Sequence, residues 1–173
     1  MAMRAARCAL LLVLLVVLQT SVLPHLRIGG VVPDLGLVAA VAISVRYGPE
    51  VGGSFGFAAG LATDLFLQTP LGLSALAFAL TAYLAGVLQA RLARPAWWVA
   101  PALAGAAGIV AGLLFVGIGG LVGQDHLFVL RSLRTILLAA LYDAIVAVAV
   151  FPLAVAVARP DPRSLTATGA PGY

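Results

Sequence analysis

The sequence predicts an all-α integral membrane protein with about six transmembrane helices, on the evidence of its composition, its apolar segments and its arginines. Hydrophobic residues make up 63% of the 173 residues, charged residues make up 9%, and the mean hydropathy is +1.14. Soluble domains carry roughly 25% charged residues, so the composition excludes an ordinary soluble protein. We expect one domain, with no length left for a catalytic domain outside the membrane.

Apolar segments separated by Pro, Gly and Arg residues predict six helices. They cover residues 5–23, 34–45, 49–67, 73–92, 97–120 and 128–158. At about 1.5 Å per residue the second helix cannot cross a core of about 30 Å alone, so it either extends beyond these limits or is shielded by protein. Residues 1–158 form the predicted six-helix domain. Residues 159–173, rich in Pro, Ser, Thr and Gly, are predicted to form a disordered cytoplasmic tail.

The arginine distribution predicts that both termini are cytoplasmic. With six spans, seven arginines fall on the side of the N-terminus and three on the other side, as the positive-inside rule expects. The seven are Arg4, Arg7, Arg46, Arg91, Arg94, Arg159 and Arg163, and the three are Arg27, Arg131 and Arg134. The first helix begins like a signal peptide, but no small-x-small cleavage site follows it, so we expect an uncleaved anchor. Trp97 and Trp98 are predicted to be interfacial anchors.

Four glycines recur at every fourth residue of the third helix. They are Gly48, Gly52, Gly56 and Gly60, and Asp64 follows at the same interval. Gly-xxx-Gly spacing lets another helix approach closely in a membrane. We therefore assign Gly52, Gly56 and Gly60 to helix packing or partner binding. The alternative is that glycine is simply frequent in membrane helices.

Two acids and two bases are predicted to lie at the same membrane depth near the outer side. Asp34 begins the second helix, Asp64 lies near the end of the third, and Arg131 and Arg134 begin the sixth. They are interpreted as a polar cluster that locks these helices together or receives a partner. The alternative is that the arginines extend to the lipid headgroups while the aspartates cap helix ends.

Asp143, preceded by Tyr142, lies near the middle of the predicted sixth helix. A charged side chain at that depth costs about 2.5–3.5 kcal/mol on insertion scales. We expect a neutral Asp143 that hydrogen-bonds to another helix, with a proton relay as the alternative. Nine positions separate it from Arg134, which places the two residues on opposite sides of the helix.

The sequence offers little for catalysis or for binding of a cofactor, a metal or a nucleic acid. Cys8 is the single cysteine, and His25 and His126 fall in separate predicted loops. No phosphate-binding loop or HExxH motif is present, although these carry much nucleotide and metalloprotease chemistry. We expect no enzymatic activity, no cofactor and no nucleic-acid partner.

Several short motifs together resemble one family. Pro33-Asp34-Leu35 is followed by GFAAGLATDL at residues 56–65, PLGL at 70–73 and YLAG at 83–86. This combination resembles the rod-shape-determining protein MreD family. Tyr142-Asp143-Ala144 stands where the family usually has Tyr-Asn-Ala, so aspartate replaces asparagine here.

The resemblance implies a multi-pass component of the bacterial plasma (inner) membrane that serves the cell-elongation machinery. Such proteins bind MreC directly. Through that complex they connect MreB filaments to the peptidoglycan synthase RodA and its partner transpeptidase. On this interpretation the small-residue faces hold the membrane segment of MreC, while Asp64 and the outer arginines fix the packing.

The family is also similar in fold to the substrate-binding subunits of energy-coupling vitamin transporters. That similarity supplies the alternative function, a vitamin-binding transporter subunit with a partner ATPase. The residues leave the oligomeric state and the number of MreC copies open.

Overall fold

The computed structural model describes residues 2–26, 31–66, 71–91, 99–121 and 129–158. These residues form six α-helices, and a 3-10 turn at Leu23–Leu26 follows the first. The helices are α1 Ala2–Ser21, α2 Leu35–Tyr47, α3 Pro49–Phe66, α4 Leu73–Arg91, α5 Val99–Leu121 and α6 Val129–Val157. The prediction of six helices is confirmed. The predicted tail and the proposed anchors Trp97 and Trp98 lie outside the described residues.

The helices expose apolar surface to their surroundings. By length and composition, α4 and residues Leu133–Val157 of α6 are apolar enough to cross a membrane. Outward positions on several helices carry large apolar side chains, such as Leu10 (70% exposed), Leu76 (53%) and Leu141 (61%). Extended apolar surface of this kind is rare on monomeric soluble proteins and is typical of contact with lipid or with a partner.

α2 is the central helix of the bundle, and it contacts each of the other five α-helices. Leu35 and every residue from Leu37 to Ser44 are buried. Its 13 residues span only about 20 Å, less than the roughly 30 Å of a bilayer core. Of the two explanations open for its short length, shielding by protein is the one that the structure supports.

Polar side chains fix the position of α2 against α4 and α6. The Ser44 hydroxyl donates to the carbonyl oxygen of Ala82 at 2.5 Å, and the Tyr47 hydroxyl donates to the carbonyl oxygen of Val155 at 2.7 Å. Both acceptors are carbonyl oxygens of helical residues. Each has a second lone pair available besides the one used for the hydrogen bond within its own helix. These two bonds hold the C-terminal half of α2 in register with its neighbours.

The glycine row of α3 packs against helices of the same chain. A Cβ atom on Gly56 would lie 2.8 Å from the carbonyl oxygen of Phe78, and one on Gly60 would overlap the main chain of Ser74 and Ala75. Gly52 lies similarly close to Ser44 of α2. A partner helix that used this row would have to displace α4. Gly48, at φ +99°, belongs instead to the turn between α2 and α3.

A second close approach joins α5 to α6. A Cβ on Gly108 would lie 2.6 Å from a carboxylate oxygen of Asp143 and 3.1 Å from the Cα of Ala140, and one on Gly112 would lie 2.9 Å from the side chain of Ile136. In a membrane, small residues stabilise helix pairs by allowing this van der Waals contact. The small residues thus pack the bundle itself.

Gly60→Ala is expected to lower the thermal stability of the protein. The new methyl group would overlap the main chain of α4, and overpacking typically costs about 1–3 kcal/mol. Gly117→Ala is the matched control, because a Cβ built there meets no described atom within 4 Å. Alanine also has a helix propensity about 1 kcal/mol better than that of glycine, so the control should melt at or above the wild-type temperature. Equal melting temperatures of the two variants in detergent would contradict the packing of α3 on α4.

Candidate functional site

The N-terminus of α2 is held by polar side chains from two other helices. Residues 31–34 are not helical, and α2 begins directly after them. The Gln19 side chain of α1 bonds to the main chain where it enters α2, which we call the entry to α2. Its Nε2 donates to the carbonyl oxygen of Pro33 at 2.9 Å, and its Oε1 accepts from the Leu35 N–H at 3.1 Å. One amide group therefore satisfies a main-chain acceptor and a main-chain donor on either side of Asp34.

Asp143 of α6 contributes a third hydrogen bond at the start of α2. It is only 2% exposed, and its Oδ1 accepts a hydrogen bond of 2.7 Å from the main-chain N–H of Asp34. The helix partner that the sequence could not name is thus the start of α2. The neighbouring Tyr142 is partly buried. Because the first N–H groups of a helix have no partner within it, the Asp143 carboxyl group supplies an acceptor that the buried start of α2 requires.

The carboxyl group of Asp34 makes no capping hydrogen bond to the first turn of α2. Its Oδ1 is buried and has no hydrogen-bond partner among the described residues. Asp34 lies between two cavities of about 230 Å³ and 200 Å³, and both are also lined by Val32 and Thr63. Asp143 and Ser74 line the smaller one. The site is therefore a space large enough for water, with carboxyl and hydroxyl groups inside an apolar bundle.

Asp64 caps the following helix. Its carboxylate accepts from the N–H groups of Gly72 at 2.8 Å, of Ser74 at 3.2 Å and of Ala75 at 3.4 Å. The side chain is 2% exposed. A negative charge at a helix N-terminus is stabilised by the orphan N–H groups and by the helix dipole. Capping, given above as the alternative interpretation of the aspartates, accounts for these contacts of Asp64.

The structure links Asp34 and Asp143 through a hydrogen bond from the Asp34 main chain. Arg134 is exposed on α6, and α3 and α6 do not pack against each other within the described ranges. The side chain of Arg131 lies outside the described residues. By contrast, Asp34 and Asp143 are directly linked, and Ser74 beside Asp64 lines the same cavity as both. Pairing of the acids with the outer arginines stays a prediction.

Sequence reasoning missed three polar residues of this site, namely Gln19, Thr63 and Ser74. Gln19 carried a usable signal, because an amide within an apolar helix of a membrane protein tends to hydrogen-bond to another helix. Threonine and serine are common in such helices, so Thr63 and Ser74 gave no signal in the sequence. In the described part of the chain, no three His, Cys, Asp or Glu side chains lie close enough together to hold a metal ion.

Asp143→Asn is expected to leave the melting temperature close to that of the wild type, whereas Asp143→Leu is expected to lower it. Asparagine keeps an oxygen acceptor for the Asp34 N–H, but leucine leaves that buried donor unsatisfied, which costs about 1–3 kcal/mol. Thermal unfolding in detergent measures both variants. Arg134→Leu, a polar-to-leucine change at an exposed position of the same helix, is the control. A similar loss of stability in both leucine variants would show that the acceptor is unimportant.

The comparisons with known proteins give one family. The family model described as rod shape-determining protein MreD matches residues 3–158, which include all six helices almost completely. No curated protein and no solved structure gives a significant match. Since the matched region covers most of the 173 residues, the chain belongs to the MreD family of rod shape-determining proteins.

Proposed function

We propose that this protein is a non-catalytic, six-span scaffold of the cell-elongation machinery in the bacterial plasma membrane. The observation that carries the proposal is the family match over residues 3–158, because membership of the MreD family implies a role in rod shape determination. The family is one of membrane-associated shape proteins. To this role we add three proposals: the chain crosses the membrane six times, binds MreC and is linked through it to peptidoglycan synthesis.

The outward faces of the helices support six spans. Large apolar side chains are exposed on all five of the helices that surround α2, for example Val13, Leu61, Leu84, Val110 and Ile145. α2, the helix too short to span alone, is buried by protein over most of its length, at Leu35 and from Leu37 to Ser44. An irregular main chain at membrane depth is tolerated where protein buries it or where it lines a cavity, and residues 31–34 fit that condition.

The proposed topology, with both termini cytoplasmic, predicts which side of the membrane each helix end faces. In a Cys8→Ser background, Leu71→Cys, between α3 and α4, should react with a membrane-impermeant maleimide added outside intact spheroplasts. Arg91→Cys, at the end of α4, should react only after permeabilisation. Both native side chains are exposed. The cysteine-free protein controls for background labelling, and the opposite pattern of reactivity would reject the topology.

The scaffold is proposed to bind the membrane segment of MreC and, through it, to connect MreB filaments with RodA and its partner transpeptidase. The structure changes which surface this binding can use. The glycine row expected to hold MreC is occupied by α4 and α2 of the same chain. The partner helix is therefore proposed to pack against one of the outward apolar faces, where no rearrangement of the bundle is needed.

Photo-crosslinking in native membranes is expected to identify that face. A photoreactive residue is placed at one outward position of each peripheral helix: Val13, Leu61, Leu84, Val110 and Leu141, which are 38–61% exposed. At least one position should give an adduct with MreC. The control position Val41 is 1% exposed in α2 and should give none. Correctly inserted variants that yield no MreC adduct at any outward position would contradict direct binding.

The alternative function, a substrate-binding subunit of an energy-coupling vitamin transporter, receives no support. No solved structure gives a significant match to the chain. The expected similarity in fold to the vitamin-transporter subunits is therefore unsupported. We propose no second function.

A further inference from the structure

Two carboxyl groups border a cavity inside the bundle. The cavity of about 200 Å³ is lined by Asp34 at the entry to α2, by Asp143 of α6, by Thr63 of α3 and by Ser74 of α4. The other described residues of its lining are glycine or apolar residues. Four oxygen-bearing side chains from four parts of the chain therefore meet in an otherwise apolar space.

The polar groups around this cavity have bonding capacity left for a ligand. Oδ1 of Asp34 is buried and has no hydrogen-bond partner among the described residues. Oδ1 of Asp143 accepts from the Asp34 N–H, whereas its Oδ2 lies against Gly108 of α5, which also lines the cavity. Ser74 is 3% exposed, and its hydroxyl group makes no hydrogen bond to a described residue. These oxygens point to a ligand that attracts oxygen atoms.

Charge complementarity selects the class of that ligand. A carboxylate in an apolar interior is paired with an opposite charge or coordinates a metal ion. No basic residue is among the described residues that line the two cavities beside Asp34. A divalent cation would neutralise both carboxylates, whereas a monovalent cation would leave one negative charge among apolar groups. An uncharged ligand would supply hydrogen bonds but no charge.

The number of protein oxygens then selects among divalent cations. Three acidic side chains do not meet within the described part of the chain, and Ca²⁺ takes about six to eight oxygen ligands. Mg²⁺ is usually held by one or two carboxylates and keeps several of its waters. The cavity has the volume for such waters, since each occupies about 30 Å³ in the liquid, and hydroxyl oxygens such as that of Ser74 accept from them. We infer that this cavity is a site for one hydrated divalent cation of the Mg²⁺ class, held by the carboxylates of Asp34 and Asp143.

A cation at this position would add a link between the entry to α2 and α6. The hydrogen bond from the Asp34 N–H to Asp143 is the described contact that joins these two residues. Coordination by both carboxylates would fix their side chains as well. The inference goes beyond the proposed scaffold function and does not depend on MreC, because it is tested on the purified protein alone.

Binding of Mn²⁺ to the full chain in a neutral detergent tests the site. Mn²⁺ takes the same oxygen ligands as Mg²⁺, and electron paramagnetic resonance measures the Mn²⁺ left free. The wild type should bind one Mn²⁺, and Mg²⁺ should displace it at concentrations at which Na⁺ does not. Asp34→Asn should weaken binding at least about tenfold, since even the outer partners of metal ligands contribute about 10–100-fold. Glu50→Gln is the matched control, because Glu50 is an exposed acid of α3 that does not line either cavity.

Several outcomes would overturn the inference. These are no Mn²⁺ binding by the wild type, equal binding by Asp34→Asn, and an equal loss in Glu50→Gln. Displacement by Na⁺ as readily as by Mg²⁺ would overturn the divalent assignment. Arg131→Gln tests the pairing of acids with arginines that the sequence predicts. Mn²⁺ binding by this variant and not by the wild type would show that a guanidinium takes the place of the cation.

A further measurement on the wild type keeps the inference testable if Asp34→Asn does not fold. Fe²⁺ in place of Mg²⁺, with ascorbate and hydrogen peroxide, generates radicals that cleave the main chain near the bound metal ion. Fragments that end close to Asp34 and Asp143 are expected, and excess Mg²⁺ should suppress them. Cleavage only at other positions would place the metal elsewhere and overturn the inference.

Discussion

The bundle depends on satisfying the main chain where α2 begins. Inside an apolar environment an unpaired N–H or C=O group costs several kcal/mol, and α2 begins among other helices instead of at a solvent-exposed end. Asp143 of α6 accepts from the N–H of Asp34, while Gln19 of α1 supplies both a donor and an acceptor to the residues on either side. The first and last helices of the chain are thereby fixed to the second.

Close approach of the helices is the second constraint, and it explains where partners can bind. Lipid tails are as apolar as leucine, so helix association in a membrane relies on van der Waals contact and hydrogen bonds. Here the glycines of α3 bring that helix against the main chain of α4, and Gly108 and Gly112 bring α5 against α6. These small residues are used within the chain. The protein partner that we propose would therefore meet leucines, isoleucines and phenylalanines on the outside of the bundle.

The aspartates have separate structural tasks although Asp34, Asp143 and Ser74, which Asp64 caps, line one cavity. Asp64 caps α4 with both carboxylate oxygens, and Asp143 caps the entry to α2. The carboxyl group of Asp34 caps neither helix and lies beside the two cavities. Aspartate at position 143 supplies the oxygen acceptor that this bond requires. A shared polar layer therefore combines two helix caps with the carboxyl group of Asp34, whose buried Oδ1 has no hydrogen-bond partner among the described residues.

The sequence by itself determined the six helices, their limits to within a few residues, the short second helix and the family. These follow from apolar runs interrupted by Pro, Gly and Arg, and from motifs that are local in the chain. Only the tertiary structure decided that α2 is central, that the glycine row faces α4, and that Gln19 and Asp143 share the entry to α2. Gln19 and Asp143 lie 14 or more residues from their acceptors and donors, and no periodicity encodes which helix end lies opposite a given side chain. Partners across a bundle depend on how all the helices pack together, and that information is not local in the sequence.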